Sequence, residues 1–454
     1  MLTVYVEATE QRTLTREQKE AVGLLSIGTF LEYFDLMLYV HMAVLLNELF
    51  FPKTDPFTAS LLSAFAFCSS YLLRPVGSVI FGYIGDKIGR KASLIISTLL
   101  MSCSCLIIGI LPTYAQIGIT ASWVITLCRM IQGMAASAES TGAEIYITES
   151  IKGKKKYPLV ALITIFSAVG TSAALGICTL LTSESFSNTI PFAWRIAFFV
   201  GMVVGIVGTV ARTSLKEASD YVNKQKSLKT KLSANKIDVQ DKLNTAILEE
   251  GPSYLVSIAY FFVHCARPPC FYFIYIYCGD ILKHQFLVKP AQILQQNFYV
   301  SIIDLLGLLS LAYLSTVIHP LKILRGKLIL FFLSVTSFPI AIDLYPQTTT
   351  VLIYQCLAAL FVFDQIPATP IFYKYFPILK RFTYTSVIST FASMITYLVT
   401  SFGFVITTKY FGYGGIFIIL IPVGICFWFS VNYFQKLEEK GEEILDQKQN
   451  FASV

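Results

Sequence analysis

The 454 residues are 55% hydrophobic and only 14% charged, with a mean hydropathy of +0.65, whereas a water-soluble domain is roughly 25% charged. Lipid is therefore the solvent for most of the chain, which reads as an all-α integral membrane protein. The net charge of +7 would suit a polyanion if it were clustered, but it is scattered between apolar runs, so it reports topology and gives no nucleic-acid partner.

Apolar runs of about 20 residues, enough to cross about 30 Å of hydrocarbon as helices, fall near 21–46, 58–84, 92–111, 122–148, 158–182, 192–211, 252–278, 294–318, 326–343, 350–373, 383–408 and 412–434. These twelve spans divide the chain into an N-terminal segment (1–20), six spans (21–212), a charged segment (213–250), six further spans (251–434) and a tail (435–454). The start carries mixed charges and no small-residue cleavage site, so it is not read as a removable signal peptide. Segments on the N-terminal side of the membrane hold 27 Lys and Arg, and those on the other side hold four (Lys53, Lys283, Lys289 and Lys409). The positive-inside rule then assigns both termini to the cytoplasm. Segment 213–250, with seven Lys and six acidic residues, is a linker, either solvated or touching anionic lipid. All ten cysteines fall in spans without metal-ligand spacing and read as packing residues.

In span one, Glu32 and Asp35 lie three residues apart, with Tyr39 four further on, on one helical face. An ionisable group in a span costs at least about 2.5 kcal/mol on insertion scales, so this pair is expected to face a polar cavity and to handle protons; neutralisation by a neighbouring Arg is the alternative. Span two brings Arg74-Pro75, a substrate cation or a counter-ion for Glu32, Asp35 or Glu139. Between spans two and three, Gly85-Asp86-Lys87-Ile88-Gly89-Arg90-Lys91 forms a charged turn, with Asp86 expected where the following helix starts. In span four, Arg129, Gln132 and Glu139 return to one direction, while Gly133, Ala135, Ala136 and Gly142 permit close helix approach. A buried Arg whose distance from a buried Glu changes can alter proton affinity; a static pair is the alternative. Lys152–Lys156 is an inside anchor between spans.

Displacing the chain by about 231 residues lays span one on span seven, so six-plus-six implies two pseudo-symmetric bundles with the substrate path between them. The displaced charged turn falls on Thr316–Lys327, which lacks the Asp and most of the glycines. Span seven holds His264, Arg267, Pro268 and Pro269; span eight aligns Asn297, Ser301 and Asp304; span ten has Asp364 and Gln365 before Pro367 and Pro370. Prolines at membrane depth are tolerated where helices bend beside a cavity. Arg267 would bind a carboxylate bidentately, or else pair with Asp304 or Asp364.

The twelve spans, the charged turn and the Arg129-x-x-Gln132-Gly133 stripe resemble the major facilitator superfamily. Glu32-Tyr33-Phe34-Asp35, Leu73-Arg74-Pro75-Val76-Gly77, Gln132-Gly133 with Glu139, and Trp194-Arg195-Ile196 are similar to its metabolite:proton symporter branch, which includes bacterial proline/betaine, shikimate and α-ketoglutarate transporters. The resemblance covers the first 212 residues; the second half departs from it. It implies a monomeric bacterial inner-membrane protein without a cofactor, driven by the proton gradient, importing a small organic acid or zwitterion by alternating access. Glu32, Asp35, Arg129 and Glu139 would then couple protons, and Tyr39, Arg74, Gln132, Arg267, Asp304 and Asp364 would bind substrate. Gly85, Asp86, Gly89, Arg90 and Lys91 would gate, since the family's turn ties spans two and three to the opposing bundle and releases it when the bundles rock. A proton-driven exporter is the runner-up, and a non-transporting sensor a third reading. No nucleotide loop, metal cluster or Ser/His/Asp spacing points to an enzyme.

Overall fold

The computed structural model describes residues 13–52, 71–181, 194–213 and 251–452, so the linker beyond its first residue and the chain before residue 13 lie outside the described residues. Every regular element among these is helical. The first half contains α1 (Arg16–Phe50), α2 (Arg74–Lys87), α3 (Arg90–Ile110), α4 (Ile119–Ser150), α5 (Lys156–Leu181) and α6 (Trp194–Arg212). The second contains α7 (Tyr254–His264), α8 (Arg267–Phe271), α9 (Cys278–His284), α10 (Pro290–Leu314), α11 (Pro320–Thr336), α12 (Phe338–Leu344), α13 (Thr348–Leu360), α14 (Thr369–Tyr373), α15 (Arg381–Phe411) and α16 (Phe417–Ala452).

Helix is present at each of the twelve predicted spans, and eight of the described stretches are individually long and apolar enough to cross a membrane. Three spans of the second half are not continuous. Span seven is broken at Cys265–Ala266, just before Pro268 and Pro269, and passes through a π-helical turn, Tyr272–Tyr277. Proline removes a backbone donor and clashes with the preceding turn, so these breaks sit where the prolines are. Span nine divides at Ser337 before Pro339, and span ten opens between Leu360 and Thr369, around Pro367. At the other end of the chain, α16 continues through the predicted tail to Ala452.

The pattern within α3 shows why these helices need lipid. Ile96, Leu99, Leu106, Ile107 and Ile110 are exposed at helical spacing, whereas Ser93, Ser97, Thr98, Ser102 and Ser104 are buried. Most inward hydroxyls return their hydrogens to their own helix, Thr98 Oγ1 donating to Leu94 O at 2.7 Å and Ser102 Oγ to Thr98 O at 2.9 Å, while Ser93 Oγ donates to Phe81 O of α2 at 3.1 Å. Small polar residues inside and large apolar residues outside is the inverse of a water-soluble helix.

Within the first half, α1 packs against α5 and α6, and α3 against α4 and α6; across the halves, α5 meets α10 and α2 meets α15. Gly170 allows the α1–α5 approach, because a Cβ there would fall on the Phe30 carbonyl. Arg195 donates to the carbonyls of Gly109 and Leu111 at 2.6 and 2.9 Å, closing the end of α3. The Trp194-Arg195-Ile196 motif thus has a local structural task. Replacing Gly170 by Leu should cost about 1–3 kcal/mol through overpacking and lower the melting temperature of the detergent-purified protein. Gly23→Ala, where a Cβ meets open space, should leave the melting temperature unchanged or raise it.

Candidate functional site

A cavity of about 160 Å³ lies between the halves, walled by α1, α2, α4 and α5 on one side and by α7, α8, α10 and α15 with the open stretch before α14 on the other. Its charged and titratable lining comprises Arg74 and Glu144 from the first half and His264, Arg267 and Asp304 from the second. Tyr33, Tyr71, Tyr275 and Tyr397 complete much of the wall. Arg74 stacks over the Tyr71 ring, 4.4 Å from its centroid, and Tyr71 lies 4.1 Å from Tyr397 across the gap between halves. Hydroxyl pairs also bridge the halves, Ser172 to Ser301 at 2.9 Å and Thr390 to Ser78 at 3.0 Å.

Of the expected substrate residues, Arg74, Arg267 and Asp304 line this cavity. Asp364 lies behind Arg267 in a smaller pocket of about 30 Å³, which Arg267, Asp304 and Lys327 also line. Gln132 is elsewhere. It is fully buried, accepts from Arg129 Nη1 at 3.0 Å and donates to Cys105 Sγ at 3.3 Å, and Cys105 in turn hydrogen-bonds with Asp35. Asp35, Cys105, Gln132 and Arg129 therefore form a polar thread joining α1, α3 and α4 inside the first half. The expectation that the Glu32–Asp35 face opens onto the cavity is corrected: both carboxylates are buried and point into the bundle, and their neighbours Thr29, Tyr33, Leu36 and Met37 do the lining. A three-residue spacing defines a face but not which neighbour that face meets. Tyr39 and Glu139 lie on α1 and α4, but their side chains lie outside the described residues.

Glu144 is the cavity residue the sequence reading passed over. It accepts a 2.7 Å hydrogen bond from Tyr373 of α14, in the opposite half. A signal was present: Ser137, Thr141 and Glu144 all line the cavity at the same i, i+4, i+7 spacing that marked Asn297, Ser301 and Asp304.

The charged turn closes one end of this space. Arg90 is fully buried; it pairs with Asp86, donates to Gly85 O at 2.8 Å, approaches Glu149 at 3.5 Å and donates across the halves to Ile378 O at 3.0 Å. Arg381 reaches back from the second half to the same Glu149 at 3.1 Å. Asp86 does not start the following helix as expected. It lies in the last turn of α2, and α3 is instead preceded by Gly89 at φ 141°, a conformation that favours glycine. Asp86 Oδ2 accepts from the N–H and hydroxyl of Thr383, at 2.9 and 2.6 Å. Its charge therefore serves the N-terminus of α15, where the helix dipole favours an anion. Gly85 leaves room for the Phe382 ring. Lys91 bonds to the Thr213 carbonyl within its own half. Lys327, at the end of the segment on which the displaced turn falls, is buried and held 2.6 Å from Asp364.

The sequence profile described as Major Facilitator Superfamily matches residues 25–363. An inner membrane metabolite transport protein, YhjE, of Escherichia coli strain K12 is 39% identical over 210 residues, 45% of this chain and 47% of that protein. A proline/betaine transporter of Salmonella typhimurium is 34% identical over 204 residues, 45% of this chain and 41% of the relative. The match thus spans under half the length of these relatives. Among solved structures, the proton:xylose symporter XylE superposes with a TM-score of 0.74 at 14% identity, covering 92% of this chain and 95% of that one. FucP in an outward conformation gives 0.66 at 13%, covering 92% and 99%. These establish a twelve-helix membrane fold.

A hydrogen bond to a charged group contributes about 1.5–3 kcal/mol, so Asp86→Asn should raise hydrogen–deuterium exchange at the start of α15 by about tenfold or more. Tyr373→Phe should leave exchange at that turn unchanged while raising it in α14, as read by peptide-resolved mass spectrometry.

Proposed function

Because the chain belongs to the Major Facilitator Superfamily and is thus a multi-pass membrane transporter rather than an enzyme, we propose that it imports a small organic acid or zwitterionic metabolite with protons by alternating access. The observation that carries this reading is the cavity wall itself. Two guanidiniums, Arg74 and Arg267, share it with two carboxylates, Glu144 and Asp304. A guanidinium fork suits a substrate carboxylate, and the carboxylates with four tyrosine rings suit a substrate ammonium through charge and cation–π attraction. Relatives named as proline/betaine transporters carry solutes of this kind.

The proton gradient supplies the energy in this scheme. Glu32, Asp35 and Glu139, with Arg129, are the candidate proton groups of the first half, and Glu144 joins them from the cavity wall. We place the charged turn in the cytoplasm, with both termini, on the distribution of Lys and Arg. Its latch then closes the cytoplasmic end while substrate enters from the other side, in the inner membrane of a bacterium.

The test is uptake by the full-length protein in proteoliposomes, using radiolabelled glycine betaine, L-proline and a dicarboxylate under an inward proton gradient. Accumulation of at least one, abolished by an uncoupler, is the expected result. Arg267→Ala should reduce it about 10- to 100-fold, the loss of one or two charge-assisted hydrogen bonds. Gradient-driven loss of a preloaded solute would make the protein an exporter, and no flux in either direction for a broad solute panel would overturn transport by this cavity.

A further inference from the structure

Asp364 is shared by two cations, and unequally. Lys327 Nζ lies 2.6 Å from its Oδ1 and also reaches the Ile366 carbonyl at 3.4 Å, whereas Arg267 Nη1 stands 3.5 Å from its Oδ2. Asp364 Oδ1 also accepts the Ile366 N–H at 3.2 Å, so the carboxylate is anchored to the open backbone of span ten. The Asp364 side chain is 3% exposed and that of Lys327 5%, but that of Arg267 is 34% exposed. Arg267 lines both the central cavity and the small pocket behind it, and Lys327 lines only the latter. Tyr33 on α1, Asp304 on α10 and Tyr397 on α15 also act electrostatically on Arg267, as do Glu144 on α4 and Tyr275.

We propose that Lys327 is a positioning residue that sets specificity: by holding Asp364, it leaves the Arg267 guanidinium open to the carboxylate of a substrate that Lys327 itself does not touch. This rests on the reading that Arg267 binds that carboxylate. A buried carboxylate stripped of its partner draws in whatever cation can reach it. With Lys327 gone, that cation is Arg267, already 3.5 Å away. Its N–H donors would then be consumed by Asp364 and the site would lose its preference for anionic groups. Neutralising Asp364 at the same time removes the competitor and returns Arg267 to the cavity. A residue placed only to stabilise the fold predicts no such rescue.

The first readout needs no substrate. Phenylglyoxal reacts with the neutral guanidine, so the labelling rate of Arg267, followed by peptide mass spectrometry in the purified full-length protein, reports how firmly a carboxylate holds it. Lys327→Met should slow labelling about tenfold, one unit of proton affinity. Lys327→Arg should match the parent, and Lys327→Met/Asp364→Asn should recover the parent rate or exceed it. Should Lys327→Met not yield monodisperse protein, Lys327→Gln takes its place, with the same slowing expected alone and the same recovery expected beside Asp364→Asn. Equal rates in every folded variant overturn the proposal. Glycine betaine uptake separates it from the reading beneath it. Uptake lost in Arg267→Ala together with uniform labelling sinks the role of Lys327 alone; uptake unchanged in Arg267→Ala sinks the carboxylate reading, and with it the specificity role, whatever the labelling shows.

Discussion

A guanidinium with no exposed surface at the end of a membrane bundle is the constraint around which this structure is arranged. Arg90 can be buried only because fixed oxygens surround it, and these come from four places: its own turn, the α2 carboxylate Asp86, Glu149 at the end of α4, and the Ile378 carbonyl of the other half. The last of these makes the arrangement conditional. If the halves part at this end, Ile378, Arg381 and Thr383 leave together, and Arg90, Glu149 and Asp86 must find water instead. An interaction network that is complete in one arrangement of two rigid bodies and solvated in another is what a bistable gate requires. Gly85 belongs to the same device, since the Phe382 ring occupies the space a side chain would need.

The two halves treat their buried charges differently. In the first, Asp35, Cys105, Gln132 and Arg129 are threaded through the interior and reach one another rather than the cavity. Continuous helices with small residues at their contacts bring these groups close. In the second, prolines open spans seven and ten, and the freed turns set Arg267 and Gln365 on the cavity wall. Irregular backbone at membrane depth is tolerable where it borders a polar space. The break in span seven and the place of Arg267 on the wall are thus one feature, because the same interruption that frees carbonyls also lets a long cation point inward.

How much of this was legible from the residues follows from how local each signal is. Hydropathy over twenty residues is local, so all twelve spans could be placed, including those the prolines later divide. Helical spacing is also local, and it put Asn297, Ser301 and Asp304 on one face; applied to Ser137 and Thr141 it would have found Glu144. Partnership is not local. Arg90 and Ile378 are 288 positions apart, and Lys327 and Asp364 are 37 apart on different spans. Asp86 shows the boundary between the two kinds of signal. A carboxylate serving a helix N-terminus was the right physics, but that helix is α15 of the other half rather than the adjacent α3.

Lys327 falls among the inner cations by its place at the junction of spans eight and nine, where the second half would also repeat the charged turn. That turn is absent in substance: Ser315–His319 connects α10 to α11 without an Asp or a Gly. Its cations serve other ends. Arg325 bonds to Asn432 and lies 5.5 Å from the Trp428 ring centroid, inside its own half, and Lys327 turns inward to Asp364. Closure at this end therefore draws its buried ion pairs from the Asp86–Arg90 turn and its neighbours Glu149 and Arg381. A symmetric fold with one such turn has lost nothing it needs for closure, since each contact between halves has two sides and the start of α15 supplies the second. The charge that symmetry would place at the membrane surface instead lies one residue behind the cavity wall, beside the carboxylate that competes for Arg267. In the scheme proposed above, position along the helix, rather than charge, decides whether a cation in such a repeat holds a gate or shapes a binding site.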